Sequence, residues 1–239
     1  MTGLVLQAQQ SGTIVYEQTI KFDIQMEGDA APFAGMMPKE QKINKELLFN
    51  ETASIFRNQV DAGENDVMSD GGGRMVTVKM AGNNDIIYND LENKTRTEQK
   101  EFFTRQFLIE QEVKDFKWKM TGNQKEIAGY TCMEAETTND ENKITAWFTP
   151  QILVSTGPGI YFGLPGLILA VEENDGQNVI KATSIDLKSI PEKEMKKPSK
   201  GKKVTPEEFK KIVEEKMEEM GGSSGGKPGT IIINTTIRQ

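Results

Sequence analysis

The groups in this sequence best suited by type to covalent or acid/base chemistry are one cysteine, Cys132, and adjacent carboxylate pairs such as Glu172-Glu173, Glu214-Glu215 and Glu218-Glu219. A thiolate is a nucleophile, and two nearby carboxylates can divide the roles of acid and base. Neither set has the partners that would complete it. The chain contains no histidine, which removes Ser/His/Asp and Cys/His catalysis, imidazole zinc sites and His-ligated haem. Adjacent carboxylates on a strand point to opposite faces, and those at 214–219 stand beside lysines in a helical pattern. A lone cysteine makes no internal disulfide and no multi-cysteine cluster, so Cys132 is expected as a small buried hydrophobe. Among the 12 methionines, Met26, Met36-Met37 and Cys132-Met133 are the sulfur sets that suit Cu(I). Gap-filling is the commoner role of Met, so no metal and no cofactor is assigned. The chain is read as a non-enzyme, with a Cys- or carboxylate-dependent enzyme and a copper-binding protein as the rival readings.

Charge and length narrow the class further. A net charge of -7 and a pI near 5.0 argue against a nucleic-acid partner, because tracking a phosphate backbone needs a surplus of Lys and Arg on one face. With 239 residues, one main domain is expected. Met1 to Gln10 is a short apolar stretch ending at small Ala8, which resembles the end of a secretory signal with its cleavage site. Export to the periplasm or cell surface is therefore expected, with a mature chain starting near Gln9 or Gln10. No later run reaches the roughly 18 apolar residues of a membrane span.

The elements that must position these groups are mostly strands. From Ser11 to Glu27 the residues Ile14, Tyr16, Ile20, Phe22, Ile24 and Met26 alternate, the period of a strand with one buried face. Leu47, Phe49, Ala53 and Ile55 alternate again, and Met75 to Met80, Ile86 to Leu91, Phe116 to Met120, Tyr130 to Thr137, Ile144 to Phe148, Leu167 to Glu173 and Val179 to Leu187 are β-like. Between them Thr121-Gly122-Asn123, Asn139 to Asn142 and Asn174-Asp175-Gly176 supply hairpin chemistry. Lys94 to Gln111 fits strand and helix equally. After Ile190 a lysine-rich stretch reads as a solvated linker with the sheet ended. Thr205-Pro206-Glu207-Glu208 is a helix start, and Phe209, Ile212, Val213, Met217 and Met220 form one apolar stripe. Gly221 to Gly229 is a second linker, and Thr230 to Ile237 is a β-prone run. The organisation is thus 1–10 signal remnant, 11–190 β-rich domain and 191–239 appended segment. The fold class is mainly β (α+β): an antiparallel sheet able to curve into a half-barrel, with an appended amphipathic C-terminal helix. That helix and the Met- and Pro-rich loop of Ala30 to Lys39 are the expected lids over its apolar face.

The most distinctive block runs from Ala146-Trp147-Phe148-Thr149-Pro150 through Gly157-Pro158-Gly159-Ile160-Tyr161-Phe162 to Gly163-Leu164-Pro165-Gly166-Leu167-Ile168-Leu169. Gly163 and Gly166 open backbone angles closed to other residues, while Pro165 fixes its own angle and holds Leu164 extended. The expectation is a rigid turn that closes the core, with Trp147, Tyr161, Phe162, Leu164 and Pro165 as candidate ligand- or partner-docking residues. Together with Trp118 and Ile127-Ala128-Gly129-Tyr130-Thr131-Cys132, the block resembles the GLPGLI family of the Bacteroidetes group, named for the hexapeptide found here at Gly163 to Ile168. The resemblance covers about Ser11 to Leu187. It implies an exported protein without established biochemical activity. The combined expectation is an envelope binding or structural protein that holds an apolar ligand or docks an envelope partner.

Overall fold

The computed structural model describes residues 10–21, 39–59, 67–71, 74–78, 85–113, 115–139 and 142–221. The expected strand residues Phe22 to Met26, the pair Met36-Met37 and the tail from 222 onward lie outside the described residues. Fourteen strands are present among those described, and twelve of them form one sheet.

The first half is a meander: β1 (Gly12–Lys21), β2 (Glu40–Phe49), β3 (Ala53–Asn58), β6 (Ile86–Asp90), β7 (Thr95–Phe102) and β8 (Arg105–Glu112), with the separate hairpin β4 (Val67–Gly71) and β5 (Arg74–Val78) inserted before β6. The second half is β9 (Lys119–Ile127), β10 (Tyr130–Asn139), β11 (Asn142–Thr149), β12 (Leu167–Glu173) and β13 (Asn178–Leu187). Antiparallel pairing of β13 with β1 joins the halves, and the short β14 (Lys202–Val204) adds to β8 in parallel. The sheet is mainly antiparallel and open, with β14 and β9 at its edges.

Its curvature follows from one connection. In a flat sheet β8 and β9 would stand ten strand spacings apart, about 48 Å. The chain passes from Glu112 to Lys119 in seven residue steps, which reach at most about 25 Å. The sheet must therefore curl strongly on itself, giving the half-barrel form with an inner and an outer face.

Directly paired residues share a face, so the register traces the inner one: Ile109, Glu98, Ile87, Phe56, Leu47 and Ile14 are successive partners from β8 to β1. The alternation in β1 is as expected, with Ile14 and Tyr16 fully buried. Elsewhere the structure corrects the expectation. The run Leu47 to Ile55 is a hairpin, because Asn50 Oδ1 accepts the amide N–H groups of Thr52 and Ala53 and turns the chain. Thr121 to Asn123 lies inside β9 at a register shift, where Thr121 Oγ1 and Asn123 Nδ2 donate to Glu134; the turn falls at Ala128-Gly129. Lys94 to Gln111 resolves into the β7–β8 hairpin.

The lysine-rich stretch is not a free linker. Ile190 and Met195 pack on Leu48, Ala53 and Ile55 of the outer face, Lys197 pairs with Glu110, and Lys202–Val204 forms β14. Its apolar residues are too sparse to show a period, yet Ile190 and Met195 share one patch of the sheet and Val204 reaches another. The C-terminal helix, α1 (Pro206–Gly221), starts on the expected capping box: Thr205 Oγ1 accepts the Glu208 N–H and Glu208 returns a carboxylate to the Thr205 N–H. Phe209, Ile212 and Val213 pack on Phe102, Phe107, Ile109 and Val204.

Candidate functional site

Residues 150–166, between β11 and β12, cross the inner face and tie both halves of the sheet together. Ser54 and Thr156 share a hydroxyl hydrogen bond of 2.8 Å. Asn89 Nδ2 donates to Gly159 O at 3.1 Å, and Arg96 Nη2 donates to Ile160 O at 2.7 Å while its Nε reaches Asn89 Oδ1 at 2.9 Å. On the other side Tyr161 donates its hydroxyl to Glu173, which also accepts Asn178 Nδ2 at 2.5 Å. Trp118 Nε1 donates to Phe162 O at 2.8 Å from the connection that closes the curl. Burial holds the Arg96 guanidinium below its ordinary value, with Glu98 opposing, and burial pushes the Glu173 carboxyl up against the Asn178 hydrogen bond.

The five candidate docking residues separate. Tyr161 and Leu164 are buried in the cluster of Phe148, Ile168 and Val171. Trp147 is buried on β11 with Lys125 Nζ 3.8 Å from its ring centroid. Pro165 is exposed. Phe162 alone of the five lines a cleft of about 620 Å³, together with Gly163.

That cleft opens at one mouth of the half-barrel. Its apolar wall is Leu91, Val113, Leu153, Val154 and Phe162; its charged rim is Glu51, Asp90 and Asp115 against a single cation, Lys94. These come from the β2–β3 turn, the β6–β7 turn, the segment after β8 and the crossing loop. Only Phe162 and Gly163 carried a sequence signal; the others are unremarkable in sequence because no one element contributes enough of the wall. The expectation that α1 is the lid here is corrected. The helix sits over Phe102 and Phe107, whereas the cleft reaches Thr95 at the other end of β7, seven residues or about 23 Å away.

The groups named for the rival chemistry that are described lie outside the cleft lining. Cys132 is fully buried, and burial pushes its thiol up to about 11 despite Lys125 nearby, so it is protonated at neutral pH. Cys132 and Met133 point to opposite sides of β10 and belong to different core clusters. Glu172 faces Lys125 at 3.4 Å while Glu173 is turned inward. Glu214 and Glu215 face Lys210 and Lys211. Among the described residues no group of three or more His, Cys, Asp or Glu side chains is placed to hold a metal; Met26, Met36 and Met37 lie outside them.

A second set of charges faces the inner surface farther along. Burial pushes Asp85 up to about 6, with Lys100 the main opposing influence. Because this folded value lies above the unfolded one, the ionised carboxylate disfavours the fold, and stability falls as pH rises from about 4 through 6. Asp85→Asn, which keeps the acceptor for the Glu101 N–H, is expected to stabilise the protein at pH 7.5 by about 1–2 kcal/mol and to have no effect near pH 4. Urea titrations at the two pH values check this; equal effects at both would contradict it.

A family model described as a protein of unknown function (Porph_ging) matches residues 134–170. No curated protein matches the chain. Among solved structures, PNGF-II in its P21 and C2 space groups superposes with a TM-score of 0.56 at 16% identity, over 85% of this chain and 33% and 32% of those chains. The likeness is one of fold, and this chain spans about a third of the length of those structures. Among the described residues no helix is long and apolar enough to cross a membrane.

Proposed function

We propose that this chain is a non-catalytic binding module of the bacterial cell envelope, periplasmic or at the cell surface, whose cleft at the half-barrel mouth holds an apolar ligand or an apolar segment of a partner protein. The observation that carries the reading is the way the cleft is framed. Its wall residue Phe162 is fixed through its own carbonyl by Trp118, and the preceding residues by Arg96 and Asn89. A cleft of about 620 Å³ has the size of sites that enclose small ligands, and its lining sets an apolar wall of five residues against a polar and charged rim. The resemblance to the GLPGLI family supports the envelope location, and the block that carries it overlaps the stretch matched by the family of unknown function.

Titration of the full chain with the neutral, environment-sensitive dye Nile red is expected to give saturable one-to-one binding. Leu153 is 66% exposed, so Leu153→Glu should keep the fold by circular dichroism and lose most of that binding. No saturable binding, or unchanged binding in the variant, would refute the cleft as the site. Fractionation of native cells is expected to place the chain outside the cytoplasm with its N-terminus near Gln9 or Gln10; an unprocessed cytosolic chain would remove the envelope part of the reading.

A further inference from the structure

Residues 151–156 have the exposure pattern of a strand without being paired as one. Ile152, Val154 and Thr156 are buried and Gln151, Leu153 and Ser155 are exposed. In an extended chain the N–H and C=O of successive residues point to opposite sides. One side is engaged: Ile152 O accepts the Leu167 N–H at 3.1 Å, Thr156 O accepts the Ile168 N–H at 2.9 Å, and Val154 O is taken by the Thr156 N–H. The N–H and C=O groups of Leu153 and Ser155 have no protein partner among the described residues. Both residues line the cleft. The Thr156 N–H to Val154 O bond closes a γ-turn at Ser155, so this is a short, bent edge beside the apolar wall, and unpaired backbone groups of this kind are a template for an added strand.

The rim selects what that strand should carry. Lys94 is already paired with Asp115 at 3.0 Å, and Asp90 is held by the backbone N–H and side-chain amide of Asn93, with Lys197 acting on it as well, which leaves Glu51 as the uncompensated charge. Glu51 is exposed and has no ion pair among the described residues. The net negative rim opposes an acidic ligand and favours Lys or Arg, while Leu91, Val113 and Phe162 favour apolar side chains.

We propose that the free edge at Leu153 and Ser155 pairs with an extended segment of a partner protein in which basic and apolar residues alternate. Its backbone meets the open groups of Leu153 and Ser155, its apolar side chains enter the cleft, and its basic side chains meet Glu51. This inference rests on the cleft being a binding site, and it names the class of occupant.

The probe is the acetylated, amidated pentapeptide Leu-Lys-Leu-Lys-Leu, titrated into the isotopically labelled full chain at low salt. Expected are amide shift changes at Leu153 and Ser155, at least tenfold weaker binding of the same peptide with Glu for Lys, at least fivefold weaker binding of a version N-methylated at alternate amides, and several-fold weaker binding of the basic peptide to Glu51→Lys. Equal affinity for the acidic or N-methylated peptide, shifts confined to other surfaces, or no binding of the basic peptide would overturn it. If Nile red still binds in that last case, the cleft reading stands and the strand pairing is wrong; if neither binds, both fall.

Discussion

Gly166→Ala is expected to prevent accumulation of folded protein, or to lower stability by more than about 4 kcal/mol, the range reserved for severe backbone conflicts. Gly166 has φ of 147°, and an added Cβ would stand 2.1 Å from Thr149 O and 2.8 Å from Thr149 C. Those atoms belong to the end of β11, paired with β12 at this very point, so the backbone cannot retreat without breaking the ladder. Gly163 is the internal control. Its φ is 90°, but an added Cβ would meet nothing nearer than Trp118 Nε1 at 3.7 Å. Gly163→Ala therefore carries only the conformational penalty, about 1–2 kcal/mol. Soluble yield and urea midpoints of the two variants check the order. Wild-type stability in both, or a larger loss at 163, would contradict the packing role assigned to this turn.

Arg96→Ala is the second large effect, with an expected loss of about 3 kcal/mol. Arg96 is 6% exposed and holds Ile160 O and Asn89 Oδ1, so truncation leaves buried acceptors without partners and a cavity beneath the loop. Arg96→Met fills much of that volume and removes a buried charge that has no direct carboxylate partner among the described residues, so it should cost about half as much. Both variants should speed amide hydrogen exchange along residues 156–162 more than in β1. A loss below about 0.5 kcal/mol for Arg96→Ala, or exchange unchanged in the loop, would mean that the loop is held by its apolar contacts alone.

These two sites show what sequence could and could not convey. β12 was legible as a continuous apolar run buried on both faces, and β1 because one face is mainly apolar along its length. The capping box at Thr205 to Glu208 and the stripe of Phe209, Ile212 and Val213 marked α1 for the same reason. In contrast, β7 and β2 place Arg96, Glu98, Lys100 and Lys45 on the inner face, so their periodicity is masked by polar residues whose compensation comes from remote parts of the chain. Arg96 had no signal at all: its partners at Asn89 and Ile160 are brought to it by the curl and the crossing loop. The rigid turn at Gly163 to Gly166 was readable from Gly and Pro, and its packing role follows from the close approach to Thr149. The cleft was not readable, because its walls are single residues from several connections, and the expected lid helix covers the far end of the same face.

Whether the crossing loop builds a binding cleft at the half-barrel mouth is decided by mapping bound Nile red on the full chain through backbone amide shifts. The largest changes are expected at Leu91, Val113, Leu153 and Phe162, with Phe102, Phe107 and Phe209 little affected. Changes centred on those three phenylalanines under α1, or no saturable change anywhere, would contradict the cleft as the binding site.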